Sequence, residues 1–378
     1  MMLIQKLKNA IEHCKSILMN SRFSDKSLFL KVINIIGVKP GGSGMSILYV
    51  TEHGAIVSIE QNCVKVKKEK DNFCRSIPLE TLESINIMGK SQLTTQCAEV
   101  CLQKGIPVSY YSPHGKYFGK LQSTGHVHVE IQRQQSKLYH TSFALELGKE
   151  IMESKLHNQE VLLRRYERNS EVNVEQERME LKRAKNKIRT SKDINQLIGY
   201  EGIGARSYFR GLGKLVQEDF YFSKRTRRPP RDAFNSMLSL GYSLLMNEIY
   251  GKLENKGLNP YFGFVHQDRE QHPTLASDMM EEWRPVIVDS TVMSLVNGHE
   301  ISIEDFYQDI EQPGVFLTKD GMHIFLKKLE VTQRRDTKYL DYVTYATSFR
   351  RAIELQIGQL VKAIEFEDPT IYQGIRIR

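Results

Sequence analysis

A change of hydrophobic periodicity near residue 125 is the feature that most restricts the fold of this chain of 378 residues. Between residues 45 and 122, apolar side chains alternate with period two, as in Ala55–Ile59 and Cys63–Lys67, which is typical of β-strands. Between residues 130 and 378 the pattern is mostly helical. We therefore predict an α+β chain, in which a small β-rich N-terminal domain, 45–122, precedes a larger α-helical domain, 130–378.

Turn and cap signals set the limits of single elements. A helix over Thr94–Lys104 is expected to end at Gly105, because glycine adopts the left-handed conformation of a helix C-cap. In the second region, long stretches with few helix breakers predict helices over Ala233–Lys252, Thr274–Asn297 and Tyr339–Ile364.

Residues 1–44 form a third segment, which we predict to be an appendage with a linker. Leu3, Leu7 and Ile11 recur at helical spacing and predict one amphipathic helix over 3–19. The run Lys39–Gly44 has the composition of a flexible linker. A small docking helix without chemistry and the tail of a fused domain both explain this segment, so its role stays open.

Composition excludes several classes of protein. No stretch approaches the roughly 20 apolar residues of a membrane span, so we expect no membrane association. The five cysteines show no CxxC spacing, which argues against a zinc site or a disulfide framework and favours a reducing cytoplasm. The net charge of +8 is compatible with a polyanionic partner.

Two carboxylates in the helical region are the first candidates for chemistry. Asp278 and Glu281 are three residues apart, so both can lie on one helical face, where they repel each other unless a cation or a base lies between them. Glu281, rather than the following Glu282, is the ligand candidate. An exposed acidic turn is the alternative interpretation.

Glu201 and His266 are further candidates from distant segments. Glu201 precedes Gly202 and Gly204, which permit close approach of another backbone or a ligand. His266 follows a short apolar run and precedes a polar loop, a position that suits a ligand at a pocket edge. A helix-capping acid and a surface histidine are the plain alternatives. Metal-dependent phosphodiester chemistry uses hard oxygen ligands, often with one imidazole, but these residues alone do not converge on it.

A basic loop lies between Glu201 and His266 in the sequence. Arginine and lysine side chains at such positions bind phosphate oxygens, and they carry little sequence information. A solvated surface loop explains the same composition. The candidate nucleic-acid contacts are Lys224, Arg225, Arg227, Arg228 and Arg231.

Four ordered blocks of the helical region resemble the CRISPR-associated spacer-acquisition integrases, the Cas one family. The resemblance extends to the β-rich region, through Leu48–Val50, Ile77–Glu80, the Gly105-Ile106-Pro107 ending of the first helix and His114–Gly119, so that it spans about residues 45–378. The blocks are Glu201–Phe209, Arg228–Asn235 with Leu238 and Gly241-Tyr242, Leu258–Pro260 with Gly263–His266, and Leu275–Pro285.

The resemblance implies roles for these residues. Glu201, His266 and Glu281 would ligate Mg²⁺ or Mn²⁺, and Asp278 would assist as a further ligand or by orienting water. The implied reaction is a transesterification, in which the 3′-hydroxyl of a short invader DNA fragment attacks a phosphodiester of the CRISPR repeat. The helical domain would be catalytic, and the β-rich domain would form much of a homodimer contact.

The resemblance also implies partners. These are double-stranded DNA, as protospacer and repeat, and the small Cas two protein in a higher-order complex. Some relatives carry a reverse transcriptase ahead of the integrase, so a fused or associated reverse transcriptase is a further expectation for the chain that begins with 1–44.

One departure from the family and two alternative functions remain. The family usually has glycine in the loop after the histidine, but residues 267–273 contain none, and His272 in this loop is either a supporting group or a bystander.

A catalytically inactive DNA-binding scaffold on the same fold would lack a metal ligand, and none of Glu201, His266 and Glu281 is missing. A nuclease on branched DNA without a CRISPR role would show no preference for repeat-bearing plasmids.

Overall fold

Two four-stranded sheets build the β-rich region of the computed structural model, which describes residues 46–68, 73–125, 127–309 and 313–378. In one sheet the strand order is β1-β5-β7-β8, with the first three strands parallel and β8 antiparallel. In the other the order is β4-β3-β2-β6. The strands are β1 (Ser46–Val50), β2 (Ile56–Glu60), β3 (Cys63–Lys68), β4 (Phe73–Pro78), β5 (Leu82–Met88), β6 (Gln92–Leu93), β7 (Val108–Tyr111) and β8 (Tyr117–Leu121).

The hairpin of β2 and β3 shows how local sequence sets the register. Gln61 and Asn62 both have positive φ, 47° and 61°, as a tight hairpin turn requires. The turn pairs Val57 with Val66, and both side chains are buried on the same face of the sheet. The helix α1 (Thr95–Lys104) packs against β2. Thr94 caps its N-terminus, and Gly105 at φ 68° ends it, as the sequence predicts.

Helices form most of the remaining described chain, together with short strand pairs. The predicted α+β class, with a β-rich region followed by a helical one, is confirmed. The helices are α2 (Val129–Leu138), α3 (Ser142–Glu167), α4 (Glu175–Arg189), α5 (Ile194–Leu215), α6 (Ala233–Asn255), α7 (Thr274–Met280), α8 (Ser290–Asn297), α9 (Lys319–Gln333) and α10 (Phe349–Glu365), and the strands are β9 (Phe306–Gln308), β10 (Val315–Leu317), β11 (Asp336–Thr337) and β12 (Thr347–Ser348).

Two predicted helices have different limits in the structure. The continuous helix predicted over Thr274–Asn297 is wrong, because α7 ends at Met280 and a π-helical segment, Arg284–Asp289, precedes α8. Pro285 has no N–H for a regular helical bond, and widening of the turn accommodates it. The helix predicted over Tyr339–Ile364 begins only at Phe349, where the Ser348 side chain accepts the N–H of Arg351.

A buried charge network joins the β-rich region to the helices. Arg350 of α10 is 4% exposed and binds Glu330 of α9 at 2.7 Å and Glu248 of α6 at 3.0 Å. The hydroxyl of Tyr49 in β1 donates to Glu330 at 3.3 Å, and Glu83 of β5 lies 3.4 Å from Arg350. Both regions belong to one compact unit by their contacts, while the domain limits proposed from the sequence stay predictions.

The predicted segment 1–44 lies outside the described residues. None of the helices in the described ranges combines the length and the apolar character that a bilayer span needs.

Candidate metal centre

Glu201 lies in the middle of α5, not at a helix end. The helix begins at Asp193, whose side chain accepts the N–H of Gln196. A Cβ on Gly204 would lie 2.7 Å from the Leu156 side chain of α3, so glycine here lets the two helices approach closely. Because α5 lies this close to α3, the Glu201 carboxylate reaches the buried side chain of Lys155.

Asp278 of α7 organises the loop that carries His266. Its fully buried carboxylate accepts the backbone N–H groups of Phe264 (2.7 Å), Val265 (3.0 Å) and His266 (3.1 Å). A Cβ on Gly263 would lie 2.9 Å from Asp278 Oδ2 and 2.8 Å from Thr274, so only glycine fits at this approach. The loop is therefore fixed to α7 by hydrogen bonds to one charged acceptor.

The same carboxylate fixes the imidazole of His266. The Nδ1 atom lies 2.6 Å from Asp278 Oδ1, which leaves Nε2 directed at Glu281 Oε1, 3.7 Å away. Burial lowers the pKa of His266, but Asp278 and Glu281 outweigh that effect, and the pKa is raised. Since four donors already occupy Asp278, the structure favours a positioning role for it over that of a further ligand.

Glu281 follows directly after α7 and is 2% exposed. Its Oε1 atom lies 2.7 Å from the guanidinium of Arg284, and its Oε2 atom pairs with the ammonium of Lys155. Burial alone would raise the pKa of Glu281, but Arg284, Lys155 and His266 lower it to about 2. The carboxylate is therefore an anion at neutral pH.

Glu282, the neighbouring acid, faces a different part of the molecule. It accepts hydrogen bonds from the Tyr372 hydroxyl, from Gln356 and from the backbone N–H of Ile375 (2.7 Å). Burial raises its pKa to about 8. The carboxyl group therefore anchors the C-terminal segment, whereas Glu281 faces His266, which is the arrangement that the shared face with Asp278 predicts.

Lys155 is the residue of this cluster that the sequence did not indicate. Its side chain is 7% exposed, and its Nζ atom lies 2.5 Å from Glu201 Oε1 while it also pairs with Glu281. In a helix rich in Glu, Lys and Arg, a lysine normally faces solvent. The sequence suggested a cation or a base only between Asp278 and Glu281, whereas Lys155 bridges Glu201 and Glu281.

A second buried cluster lies beside the acids. Asp289 accepts the hydroxyls of Tyr208 (2.7 Å) and Tyr242 (2.5 Å), and burial raises its pKa to about 6. The guanidinium groups of Arg225 and Arg284 lie 5.2 Å and 5.0 Å from the centre of the Tyr242 ring. Asp289 was not predicted, and Tyr208 and Tyr242 lie in two of the resembling blocks without a predicted role, since neither spacing nor charge distinguishes these residues from core residues.

The basic loop divides into inward and outward side chains. Arg225 donates to Asn235 (2.9 Å) and Ser239 (3.1 Å), so its guanidinium stabilises the start of α6. The exposed members of the loop are Lys224, Arg227, Arg228 and Arg231.

His272 lies in the loop after His266. Its Nε2 atom is 2.9 Å from the hydroxyl of Ser277 on α7, which favours a supporting role near the site.

The donor set suits a hard divalent cation. No three His, Cys, Asp or Glu side chains in the described part of the chain share a ligating arrangement. The ammonium of Lys155 lies between Glu201 and Glu281. Two carboxylates that share the ammonium of Lys155, and an imidazole whose Nε2 atom lies 3.7 Å from Glu281, are donors that Mn²⁺ and Mg²⁺ accept. The residues present therefore fit the metal that the sequence suggested.

Asp278→Asn is expected to weaken Mn²⁺ binding by about 10-fold to 100-fold, as loss of a partner behind a ligating histidine does. The asparagine side chain has one acceptor oxygen where the carboxylate has two. Either the N–H groups of the loop at Oδ2 or the N–H and imidazole of His266 at Oδ1 therefore lose their acceptor. Isothermal titration with Mn²⁺ measures the effect. Asp268→Asn, an exposed acid of the same loop, is the matched control, and equal affinities for the two variants would contradict the positioning role.

Comparison with known proteins gives the class of this chain. Residues 48–331 match the family model described as CRISPR associated protein Cas1. A CRISPR-associated endonuclease Cas1 of Mycobacterium tuberculosis is 33% identical over 324 residues, which cover 85% of this chain and 95% of that protein. These matches define a CRISPR-associated nuclease or integrase.

Solved structures agree with this class. A Cas1 protein from Thermotoga maritima has a TM-score of 0.73 and 25% identity, and the match covers 85% of this chain and 97% of that one. A chain of a Cas6-RT-Cas1–Cas2 complex has a TM-score of 0.75 and 26% identity, over 89% of this chain but only 37% of its own length. The chain belongs to the Cas1 family, which confirms the resemblance to the Cas one family found in the sequence.

Proposed function

We propose that this chain is a metal-dependent DNA integrase and endonuclease of CRISPR adaptation, which inserts short invader DNA fragments into the repeat array by 3′-hydroxyl transesterification. One observation carries the chemistry: Lys155 joins the carboxylates of Glu201 and Glu281, and Nε2 of His266 lies 3.7 Å from Glu281 on the other side. Family membership supports the substrate class.

Glu201, His266 and Glu281 would hold the Mg²⁺ or Mn²⁺ ion, with Asp278 behind His266. When bound, a divalent cation lowers the pKa of an attacking hydroxyl and balances charge on the phosphate. Asp278 accepts the Nδ1–H of His266 and so keeps the lone pair on Nε2. Arg284 and Lys155 keep Glu281 ionised. These contacts fix the groups before DNA arrives, and such positioning is a major source of rate in phosphoryl transfer.

The exposed side chains of the basic loop, Lys224, Arg227, Arg228 and Arg231, would hold DNA phosphates. Arg284 and Arg225 add positive charge beside the acids, over the ring of Tyr242. The loop leads into α6, which α7 packs against, so a duplex bound there would lie near the metal residues.

Replacing Lys224, Arg227, Arg228 and Arg231 together by Gln is expected to weaken DNA binding. The slope of log Kd against log salt should also fall by about one for each cation that no longer binds a phosphate, because fewer counterions are released. Fluorescence anisotropy with duplex DNA at several salt concentrations measures both. A matched set of exposed cations, Arg335, Lys338, Arg351 and Lys362, is the control. An unchanged slope in the loop variant would contradict the assignment.

The proposed partners follow the family. A homodimer with contacts in the β-rich region and a Cas2 protein are expected, and the similarity to a chain of a Cas6-RT-Cas1–Cas2 complex supports both Cas2 and an associated reverse transcriptase. Co-purification with Cas2, followed by measurement of the mass of the complex, tests the assembly.

Strand transfer tests the function itself. A DNA fragment with a 3′-hydroxyl end, a supercoiled repeat plasmid, Cas2 and Mn²⁺ should give plasmid-linked product with this protein, and a fragment with a 3′-phosphate end should give none. DNA binding without product under any of these conditions would favour the inactive scaffold. Equal cutting of branched DNA and of plasmids with and without repeats would favour the nuclease without a CRISPR role.

A further inference from the structure

The ammonium of Lys155 lies between the two carboxylates that would hold the metal. Its ammonium contacts Glu201 of α5 at 2.5 Å and also pairs with Glu281 after α7, and its side chain is 7% exposed. A divalent cation held by both carboxylates would lie between them, and the ammonium of Lys155 already lies between these two groups. Two cations cannot share that space without strong repulsion.

The contact has a clear physical cause in the metal-free protein. Two carboxylates directed at each other, one of them 2% exposed, are costly unless a positive charge lies between them. The ammonium of Lys155 contacts both carboxylates and supplies that positive charge.

The helix that carries Lys155 is firmly held, whereas the lysine stem is flexible. Asn158, one turn further along α3, donates to the backbone oxygens of Glu282 (3.1 Å) and Ile375 (3.0 Å) and is fully buried. Displacement of the ammonium therefore requires rotation of one four-carbon side chain and no movement of α3.

We propose that Lys155 is an internal counter-cation that exchanges with the divalent metal: its ammonium bridges Glu201 and Glu281 in the metal-free protein and leaves at least one of them when the metal binds. This inference rests on the proposed metal site. It makes Lys155 a competitor of the metal and a positioning residue for the acid pair, rather than a ligand.

Mn²⁺ titration of the full chain tests the exchange. Lys155→Met should bind Mn²⁺ at least about tenfold more tightly than the wild type, because apparent affinity is reduced by the fraction of sites that are already blocked. Without metal the variant should unfold at a lower temperature, and Mn²⁺ should restore more of its stability than in the wild type. Lys149→Met, on the same helix but paired with Glu146, is the matched control and should equal the wild type.

Several outcomes separate this inference from the metal site itself. Tight Mn²⁺ binding by the wild type and loss of it in Glu281→Gln, together with unchanged or weaker binding in Lys155→Met, would overturn the exchange and leave the site intact. No Mn²⁺ binding by any of these proteins would overturn both. If Lys155→Met does not fold, Lys155→Gln and a crystal structure of the wild type with Mn²⁺ decide, and an ammonium still bridging both carboxylates beside the bound ion would overturn the exchange.

Discussion

Glu281→Gln is expected to lower strand transfer and DNA cleavage by roughly a thousandfold or more, because a bound cation contributes several kcal/mol to such reactions and each 1.4 kcal/mol is about tenfold in rate. The amide keeps the shape of the side chain but removes a buried negative charge that faces His266 and Lys155. Single-turnover strand transfer in saturating Mn²⁺ measures the rate, and circular dichroism checks the fold.

Glu282→Gln is the matched control, since it makes the same chemical change one residue further on. Its carboxyl contacts Tyr372, Gln356 and the backbone of Ile375, away from His266. The rate should stay within about threefold of the wild type, because the Glu282 carboxyl contacts none of the residues that would hold the metal. A larger loss in Glu282→Gln than in Glu281→Gln would reverse the assignment of the ligand.

Arg350→Met is expected to destabilise the protein by about 3–5 kcal/mol, since removal of one partner leaves buried charges uncompensated. Glu330 is 1% exposed and would lose its shortest ion pair, and Glu248 would lose its ion pair at 3.0 Å. The β-rich region contributes Tyr49 and Glu83 to the same network, so the two regions should loosen together. Urea unfolding at pH 7 measures the free energy.

The pH dependence of this loss has a definite sign. In the wild type, burial raises the pKa of Glu248, but Arg350 and Lys252 outweigh that effect and lower it. The ion pair therefore contributes stability above the unfolded pKa and loses it as the pH falls through the folded pKa. The difference between the wild type and Arg350→Met should accordingly shrink as the pH falls below about 4.5, where free glutamate takes up a proton.

Arg351→Met is the control for this prediction. Arg351 is the next residue of α10, and its side chain is 51% exposed and pairs with Glu354 within one helical turn. Such surface pairs contribute about 0–1 kcal/mol. Equal losses in the two variants would contradict a special role for the buried network.

The fold was predictable where one local signal decides. Gly105 ends α1, and alternation in 55–67 gives the strands β2 and β3. The continuous helix predicted over Thr274–Asn297 was wrong at Pro285. The apolar residues Val286, Ile287 and Val288 continue the helical pattern, and helix propensity does not reveal the π-helical turn. Strand β8 was missed, since Tyr117–Leu121 lacks strict alternation.

The site was predictable only through ordered blocks. Glu201, His266 and Glu281 come from separate segments, and only family similarity linked them before the structure brought their side chains together. Lys155 was not predictable, because the burial of one lysine in α3 depends on the approach of α5 and α7. The same holds for Arg225, whose inward direction follows from its contacts with Asn235 and Ser239.

The proposed function depends above all on the binding of one catalytic divalent metal by Glu201, His266 and Glu281. Anomalous diffraction from crystals grown with Mn²⁺ locates such an ion without relying on activity. We predict a manganese peak in contact with Glu201, with Nε2 of His266 and with Glu281. A peak elsewhere, or no peak at this cluster at Mn²⁺ concentrations that support strand transfer, would contradict the metal site.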